Sequence, residues 1–247
     1  AVLAKGETVI DNAAREPELT DLADMLNRMG AEIHGAGTST LQIEGVEGLH
    51  AVESEIMADR IETGTLLMAI GITGGHASLL GARIDHLETI VMKLGEMGLH
   101  ITPTPNGVEV RADERVRAVD IATLPFPGFA TDFMPLAVAL LATADGTSIV
   151  TENVFDNRLG FVAELNRMGA DIRHEGRHAV IRGVTRLSAA PVRALDVRAG
   201  AALVLAGLAA DGETVVLDPF HVDRGYSDLA ASLRALGADV ERVRDWR

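Results

Sequence analysis

The sequence predicts an α/β fold built from repeated units. Three observations carry that prediction. A helix-ending phrase recurs four times, a short alternating strand follows most copies, and a small-residue helix precedes every copy after the first. The phrase reads Leu26-Asn27-Arg28-Met29-Gly30, then Leu94-Gly95-Glu96-Met97-Gly98. It returns as Leu165-Asn166-Arg167-Met168-Gly169 and as Leu233-Arg234-Ala235-Leu236-Gly237. Its glycines recur about every 70 residues.

Each element follows from a local pattern. In the first copy Gly6–Ile10 reads as a strand. Leu22, Met25, Leu26 and Met29 then share one helical face, and Gly30 supplies the left-handed residue that ends the helix. Ala31–Ile33 and Thr40–Ile43 alternate and read as a hairpin. The second copy opens with a small-residue helix over Thr63–Gly74. A strand at Ala77–Leu80, the helix ending at Gly98 and a strand at Val108–Arg111 follow. Ala118–Ala122 reads as a connecting strand. The third copy has a helix over Phe133–Gly146 and strands at Thr147–Thr151, Ala170–Ile172 and Ala179–Arg182. The fourth has a helix over Ala199–Gly212 and strands at Thr214–Leu217 and Ala238–Val240. The first copy lacks its leading helix and the chain begins with Ala rather than Met. The expectation is therefore a C-terminal piece of a longer repeat protein. The loops differ sharply between copies, which favours closed pseudo-symmetric domains over a solenoid.

Composition narrows the function. The chain has 247 residues, 47% hydrophobic and 3% aromatic, so its core rests on aliphatic side chains. The net charge of −14 argues against a nucleic-acid or anionic-membrane surface, which needs a dense field of Lys and Arg. A small anion held by a few arginines remains compatible. Cysteine is absent, which removes disulfides, thiolate metal sites and a Cys nucleophile. No apolar stretch approaches the roughly 20 residues of a membrane-spanning helix. There is no P-loop, no G-x-G-x-x-G and no H-E-x-x-H. The eight His residues are scattered without metal spacing, so neither a metal nor a cofactor is expected.

The unusual polar residues sit in loops that bracket the small-residue helices. Asp132 directly precedes one such helix; its structural reading is an N-cap, its functional reading a proton-accepting carboxylate. Asp196-Val197-Arg198 and Asp59-Arg60 hold the equivalent place in neighbouring copies. An Arg there is either part of a salt bridge or binds an anion beside a helix start. Thr151–Arg158 and His221–Tyr226 follow the repeated strands.

Taken together, these motifs resemble the UDP-N-acetylglucosamine 1-carboxyvinyltransferases of the enolpyruvyl transferase family. The segments that carry the resemblance are Thr8–Glu18 (TVIDNAAREPE), Asp59–Thr65 (DRIETGT), Phe129–Asp132, Thr151–Arg158 (TENVFDNR), Asp196–Ala199 (DVRA), Val204–Gly207 and His221–Tyr226 (HVDRGY). They span essentially the whole chain in order. The resemblance implies an inside-out α/β barrel of repeated βαβαββ units. Residues 1–57 would be the last unit of a first domain and residues 58–247 nearly all of a second. It implies transfer of enolpyruvate from phosphoenolpyruvate to the 3-hydroxyl of UDP-N-acetylglucosamine, with release of phosphate, in cytoplasmic peptidoglycan precursor synthesis by a monomer.

By the same resemblance, Asp132 contacts the 3-hydroxyl as the base, and Asp196 lies near the reacting carbons. Arg198 and Arg224 face the phosphoenolpyruvate and phosphate region. The Val154 backbone and Arg158 serve the nucleotide sugar. An aspartate is a weak base, so positioning must supply much of its effect. Two departures stand out. The family usually has Pro before the Thr-Asp pair, where this chain has Ala130, which is expected to loosen that turn. The family's Lys-Asn pair and its Cys or Asp general acid lie upstream of the matched segments, so this chain alone is expected to bind poorly and not turn over. The alternatives are enolpyruvyl transfer to shikimate 3-phosphate, or a non-catalytic binding paralogue.

Overall fold

A computed structural model describes residues 1–243. They group into two compact units, Ala1–Ala58 with Pro125–Gly128, and Asp59–Leu124 with the chain from Phe129 onward.

The first unit is one strand-helix-strand-strand copy: β1 (Glu7–Asp11), α1 (Pro17–Arg28), β2 (Glu32–His34) and β3 (Thr40–Glu44). The sheet is antiparallel with β3 central, in the order β1-β3-β2. Pro17 opens α1, where a missing N–H costs nothing. Gly30 leaves the helix at φ 101°, a conformation that side chains avoid. Ala23, Ala31, Ile33, Leu41 and Ile43 form the small core between helix and sheet.

The second unit contains three further copies. The inner helices are α2 (Arg60–Thr73), α4 (Met134–Leu141) and α6 (Val197–Leu208). All eight residues of α4 are buried, as are most of α2 and α6. Such helices can be covered only by other apolar surfaces. Each of the three packs on the other two. Close approach needs small residues: a Cβ on Gly64 of α2 would lie 2.2 Å from the ring of Phe133, beside the start of α4.

The sheets lie outside these helices. β4 (Gly75–Leu80), α3 (Glu88–Met97), β5 (His100–Thr104) and β6 (Gly107–Ala112) complete one copy, with sheet order β4-β6-β5. The next contains β7 (Ile121–Ala122), then β8 (Thr147–Thr151), α5 (Val162–Arg167), β9 (Asp171–Glu175) and β10 (His178–Arg182). Its sheet order is β7-β8-β10-β9. In each three-stranded repeat the last strand is central and antiparallel to both neighbours. β4 and β6 rest on α2, and β8 and β10 on α4. The last copy has β11 (Leu187–Ser188), β12 (Pro191–Arg193), β13 (Ala210–Asp211), β14 (Val215–Leu217), α7 (Phe220–Asp223) and α8 (Leu229–Ala235). Here β11 pairs with β13 and β12 with β14, both in parallel.

The repeated phrase has a structural reason in two copies. Asn27 Nδ2 donates to the Ile33 carbonyl and Asn27 Oδ1 accepts from the Ile33 N–H, both at 2.8 Å. Asn166 makes the same pair of bonds to Ile172, at 2.8 and 3.1 Å. The amide thus acts as a neighbouring strand for one residue and fixes the helix against the sheet.

Several sequence-based bounds shift. α4 ends at Leu141, and its start is preceded by a 3-10 turn over Thr131–Phe133. The connecting strand shrinks to β7. Ala238–Val240 forms no strand. In the other copies the strand after the Gly-terminated helix pairs with a following hairpin strand, and no such partner is present here among the described residues.

Asn166→Ala leaves both backbone groups of Ile172 without their partner. It should lower stability by about 1–3 kcal/mol, read as an earlier midpoint in denaturant with an unchanged slope. An unmoved midpoint would contradict the role given to this amide.

Candidate active site

The starts of the three inner helices lie together. Gly64 of α2 faces Phe133, Thr65 of α2 bonds Tyr226, and Arg198 of α6 bonds Asp132. The polar loops that precede α4 and α6 or follow β8 and α7 therefore meet at one end of the unit.

Local chemistry fixes each helix start. Asp59 accepts from the N–H groups of Ile61 and Glu62, and Asp196 from those of Arg198 and Ala199 at 2.8 Å each. Both are N-caps. Asp132 is not, which corrects the structural reading of this residue. It lies within the 3-10 turn, and its side chain leaves the helix for two arginines. Arg198 Nε donates to Asp132 Oδ1 at 2.9 Å, and Arg158 Nη2 is 3.9 Å from the same oxygen. The Asp132 side chain remains 39% exposed, so a ligand can reach it, while the two guanidinium groups are largely buried.

Each arginine is held from below. Arg158 lies 5.1 Å from the centre of the Phe155 ring, and its Nη1 donates to Thr131 Oγ1 at 2.7 Å. Arg198 lies over Tyr226, 5.5 Å from the ring centre. Burial opposes the Arg198 charge, but the hydrogen bond to Asp132 and the nearby Tyr226 outweigh it, so its pKa is raised. Arg198 Nη1 is buried and makes no hydrogen bond among the described residues. The cluster thus holds an unused N–H donor beside a half-exposed carboxylate.

Tyr226 closes the arrangement. Its hydroxyl is 2.8 Å from Thr65 Oγ1, and Thr65 already donates to the Ile61 carbonyl. Tyr226 must therefore be the donor. Burial raises its pKa, against the lowering effect of Thr65 and Arg198. Gly225 lets this segment approach α6: a Cβ there would fall 2.4 Å from Val197 and 3.2 Å from Arg198 Nη1.

Of the residues singled out by sequence, Asp132, Arg158 and Arg198 form one cluster. Val154 joins it through Glu152, which accepts its N–H at 2.7 Å. Asp196 stands at the first turn of α6 and is occupied as a cap by one oxygen. Arg224 is exposed at the end of α7, two residues before Tyr226. Ala130 stands where the family's Pro would. Its φ of −62° is what a proline ring would impose, and Thr131 is anchored by Glu152 and Arg158. Sequence reasoning missed Glu152, Thr131 and Tyr226 as site residues. All three lie within or beside quoted motifs, but only packing shows that they are buried against the cluster. Among the described residues no group of three or more His, Asp and Glu gathers to hold a metal.

Comparison with known proteins places the chain in a family. The family description of EPSP synthase (3-phosphoshikimate 1-carboxyvinyltransferase) matches residues 1–241. The chain belongs to the EPSP synthase family. Within reach of this family, the UDP-N-acetylglucosamine 1-carboxyvinyltransferase of Nocardia farcinica is 54% identical over 243 residues, covering 98% of this chain and 57% of the relative. UDP-N-acetylglucosamine 1-carboxyvinyltransferase 1 of Staphylococcus aureus strain N315 is 53% identical over 245 residues, covering 99% and 58%. The chain thus spans less than three-fifths of the length of these relatives. Among solved structures, the enolpyruvyl transferase NikO from Streptomyces tendae superposes with a TM-score of 0.85 at 28% identity, covering 96% of this chain and 57% of NikO. EPSP synthase from Acinetobacter baumannii superposes at 0.74 with 18% identity, covering 95% and 57%, and shares the fold. The fold is therefore the enolpyruvyl transferase fold, with helices inside and sheets outside. No sheet among the described residues closes into a barrel of strands.

Tyr226 is the only tyrosine in the chain, so its ionisation can be followed by ultraviolet absorbance. Tyrosinate should appear above the ordinary value near 10, and higher still in Arg198→Gln, which removes a lowering charge. Because the folded pKa is raised, this group's contribution to stability is complete below the ordinary tyrosine value. It is lost as pH rises through the folded pKa. Titration at the ordinary value in folded protein would contradict the burial of this hydroxyl.

Proposed function

We propose that this chain supplies the Asp132 half of an active site that transfers enolpyruvate from phosphoenolpyruvate to the 3-hydroxyl of UDP-N-acetylglucosamine. The observation that supports it best is the half-exposed Asp132 carboxylate flanked by Arg158 and Arg198. Such a carboxylate can accept the hydroxyl proton as the sugar oxygen bonds to C2 of phosphoenolpyruvate. The C2=C3 electron pair takes up a proton at C3 from a general acid other than the residues of this cluster, and loss of a C3 proton with departure of phosphate restores the double bond. Guanidinium groups are suited to the carboxylate and phosphate of phosphoenolpyruvate, because their planar forks match oxyanions. The names of the two relatives above, at 54% and 53% identity, favour this acceptor.

In this reading Asp132 is the base. Arg198, with its unused buried N–H, and the exposed Arg224 bind the anionic donor and the phosphate released. Arg158 and the backbone of Val154 serve the nucleotide sugar; the Val154 N–H is already given to Glu152, which leaves its carbonyl. Asp196 stands at the start of α6 near the reacting carbons, with one oxygen capping the helix. Residues 1–57 are the last repeat of a first domain and residues 58–247 the second domain. The setting is the cytoplasm, in peptidoglycan precursor synthesis, with a monomeric enzyme that needs no cofactor.

The test is phosphate release by the protein expressed from its complete reading frame. Release should require both phosphoenolpyruvate and UDP-N-acetylglucosamine, and shikimate 3-phosphate should not replace the nucleotide sugar. Asp132→Asn should lower kcat by about 10²–10⁴-fold. Turnover with shikimate 3-phosphate alone, or an undiminished Asp132→Asn variant, would overturn the proposal. The 247-residue chain by itself should show no turnover.

A further inference from the structure

Glu152 lies at the end of β8 and is 1% exposed. A carboxylate rarely lies so deep without a cation, because losing its hydration is costly. No cation among the described residues pairs with it. Four donors replace water instead. Oε1 accepts from Thr123 Oγ1 at 2.9 Å and from the N–H groups of Val154 and Phe155 at 2.7 and 3.0 Å. Oε2 accepts from Thr131 Oγ1 at 2.7 Å.

Proton directions in this network are forced. Arg158 Nη1 can only donate, so Thr131 Oγ1 accepts from it and must spend its single proton elsewhere. That proton goes to Glu152. Likewise the Asn153 N–H donates into Thr123 Oγ1 at 2.8 Å, so the Thr123 proton also points at Glu152. A carboxylate meets all four donors; an amide would turn its NH2 toward at least one of them.

We infer that Glu152 is a positioning residue that sets Arg158 beside Asp132. It acts along two routes. Through Thr131 it orients the hydroxyl lone pairs that receive Arg158. Through the Phe155 N–H it fixes the residue whose ring lies under the same guanidinium. The Thr131 bond also ties the loop after β8 to the turn that carries Asp132. This inference deepens the proposed function and rests on it for the substrate used in the kinetic test.

The test uses the protein from its complete reading frame, with folding checked by Tm. Glu152→Gln and Thr131→Val should each raise KM for UDP-N-acetylglucosamine about 10- to 100-fold, the loss expected for a charge-assisted hydrogen bond. Thr131→Ser retains the hydroxyl and should recover most of that loss. Because both residues act on one guanidinium, the double variant should be far less impaired than the product of the singles. A lower Tm with KM unchanged, or effects that multiply, would reduce Glu152 to a structural role and overturn the inference. If Glu152→Gln does not fold, the Thr131→Val and Thr131→Ser pair carries the test. A wild-type protein inactive with UDP-N-acetylglucosamine would sink the substrate assignment, not the relay. The relay is then read by 15N NMR of the Arg158 guanidinium, which should shift in Thr131→Val and hold in Thr131→Ser. An unmoved Arg158 signal in Thr131→Val would overturn it.

Discussion

Three helices whose middles carry no polar side chain impose the main constraint on the second unit. α4 has none at all, and α2 and α6 keep their polar groups near the first turns and ends. Water cannot face such surfaces on any side, so the helices cover one another and the sheets cover what remains. This inverts the usual order of a sheet core flanked by helices. It also decides where chemistry can occur. With the interior apolar, charged side chains are confined to the ends of the helices, and the three starts come to one end. Small residues such as Gly64 permit the approach that brings Asp132 within reach of Arg198 on another helix.

At that end the electrostatics are graded by burial. Exposed pairs such as Arg83–Asp85 and Arg177–Asp156 are surface ion pairs, worth about 0–1 kcal/mol. Asp85 has a lowered pKa, chiefly through its hydrogen bond from Arg83. Asp132 is half-withdrawn from solvent between two largely buried guanidinium groups, where charge acts over short distances but a ligand can still enter. Glu152 is fully withdrawn and satisfied by neutral donors alone. The gradient runs from exposed surface pairs, through a half-exposed carboxylate between two arginines, to a fully buried carboxylate.

Much of this was legible in the sequence because it is periodic or local. The Gly phrase gave the repeats, and Asn27 and Asn166 show why its second residue recurs. Asp132, Arg158 and Arg198, far apart in the chain, come together in the structure. What was hidden depends on tertiary surroundings. Nothing in the sequence marks Glu152 as buried, since Glu is seldom so; its burial becomes tolerable only when Thr123 and Thr131 from other segments join the Val154 and Phe155 N–H groups as donors. Tyr226 reads as one residue of a motif, and its bond to Thr65 spans most of the unit. Ala130 reads as a loosened turn because propensity sees a missing ring; in the structure it holds a φ of −62°, beside a Thr131 side chain bonded to Glu152 and Arg158. The strand expected at Ala238–Val240 has the right alternation, and no neighbour pairs with it among the described residues.

The mutual packing of α2, α4 and α6 has a consequence for how such a protein can change size. In a linear stack each added copy meets the last one and leaves the others undisturbed. Here every inner helix already touches both of its counterparts, so the triangle has no open side. Duplicating one copy would insert a helix with no apolar surface to receive it, and deleting one would expose two. Copy number in this unit is therefore set by geometry, and diversification is channelled into the loops at the helix starts.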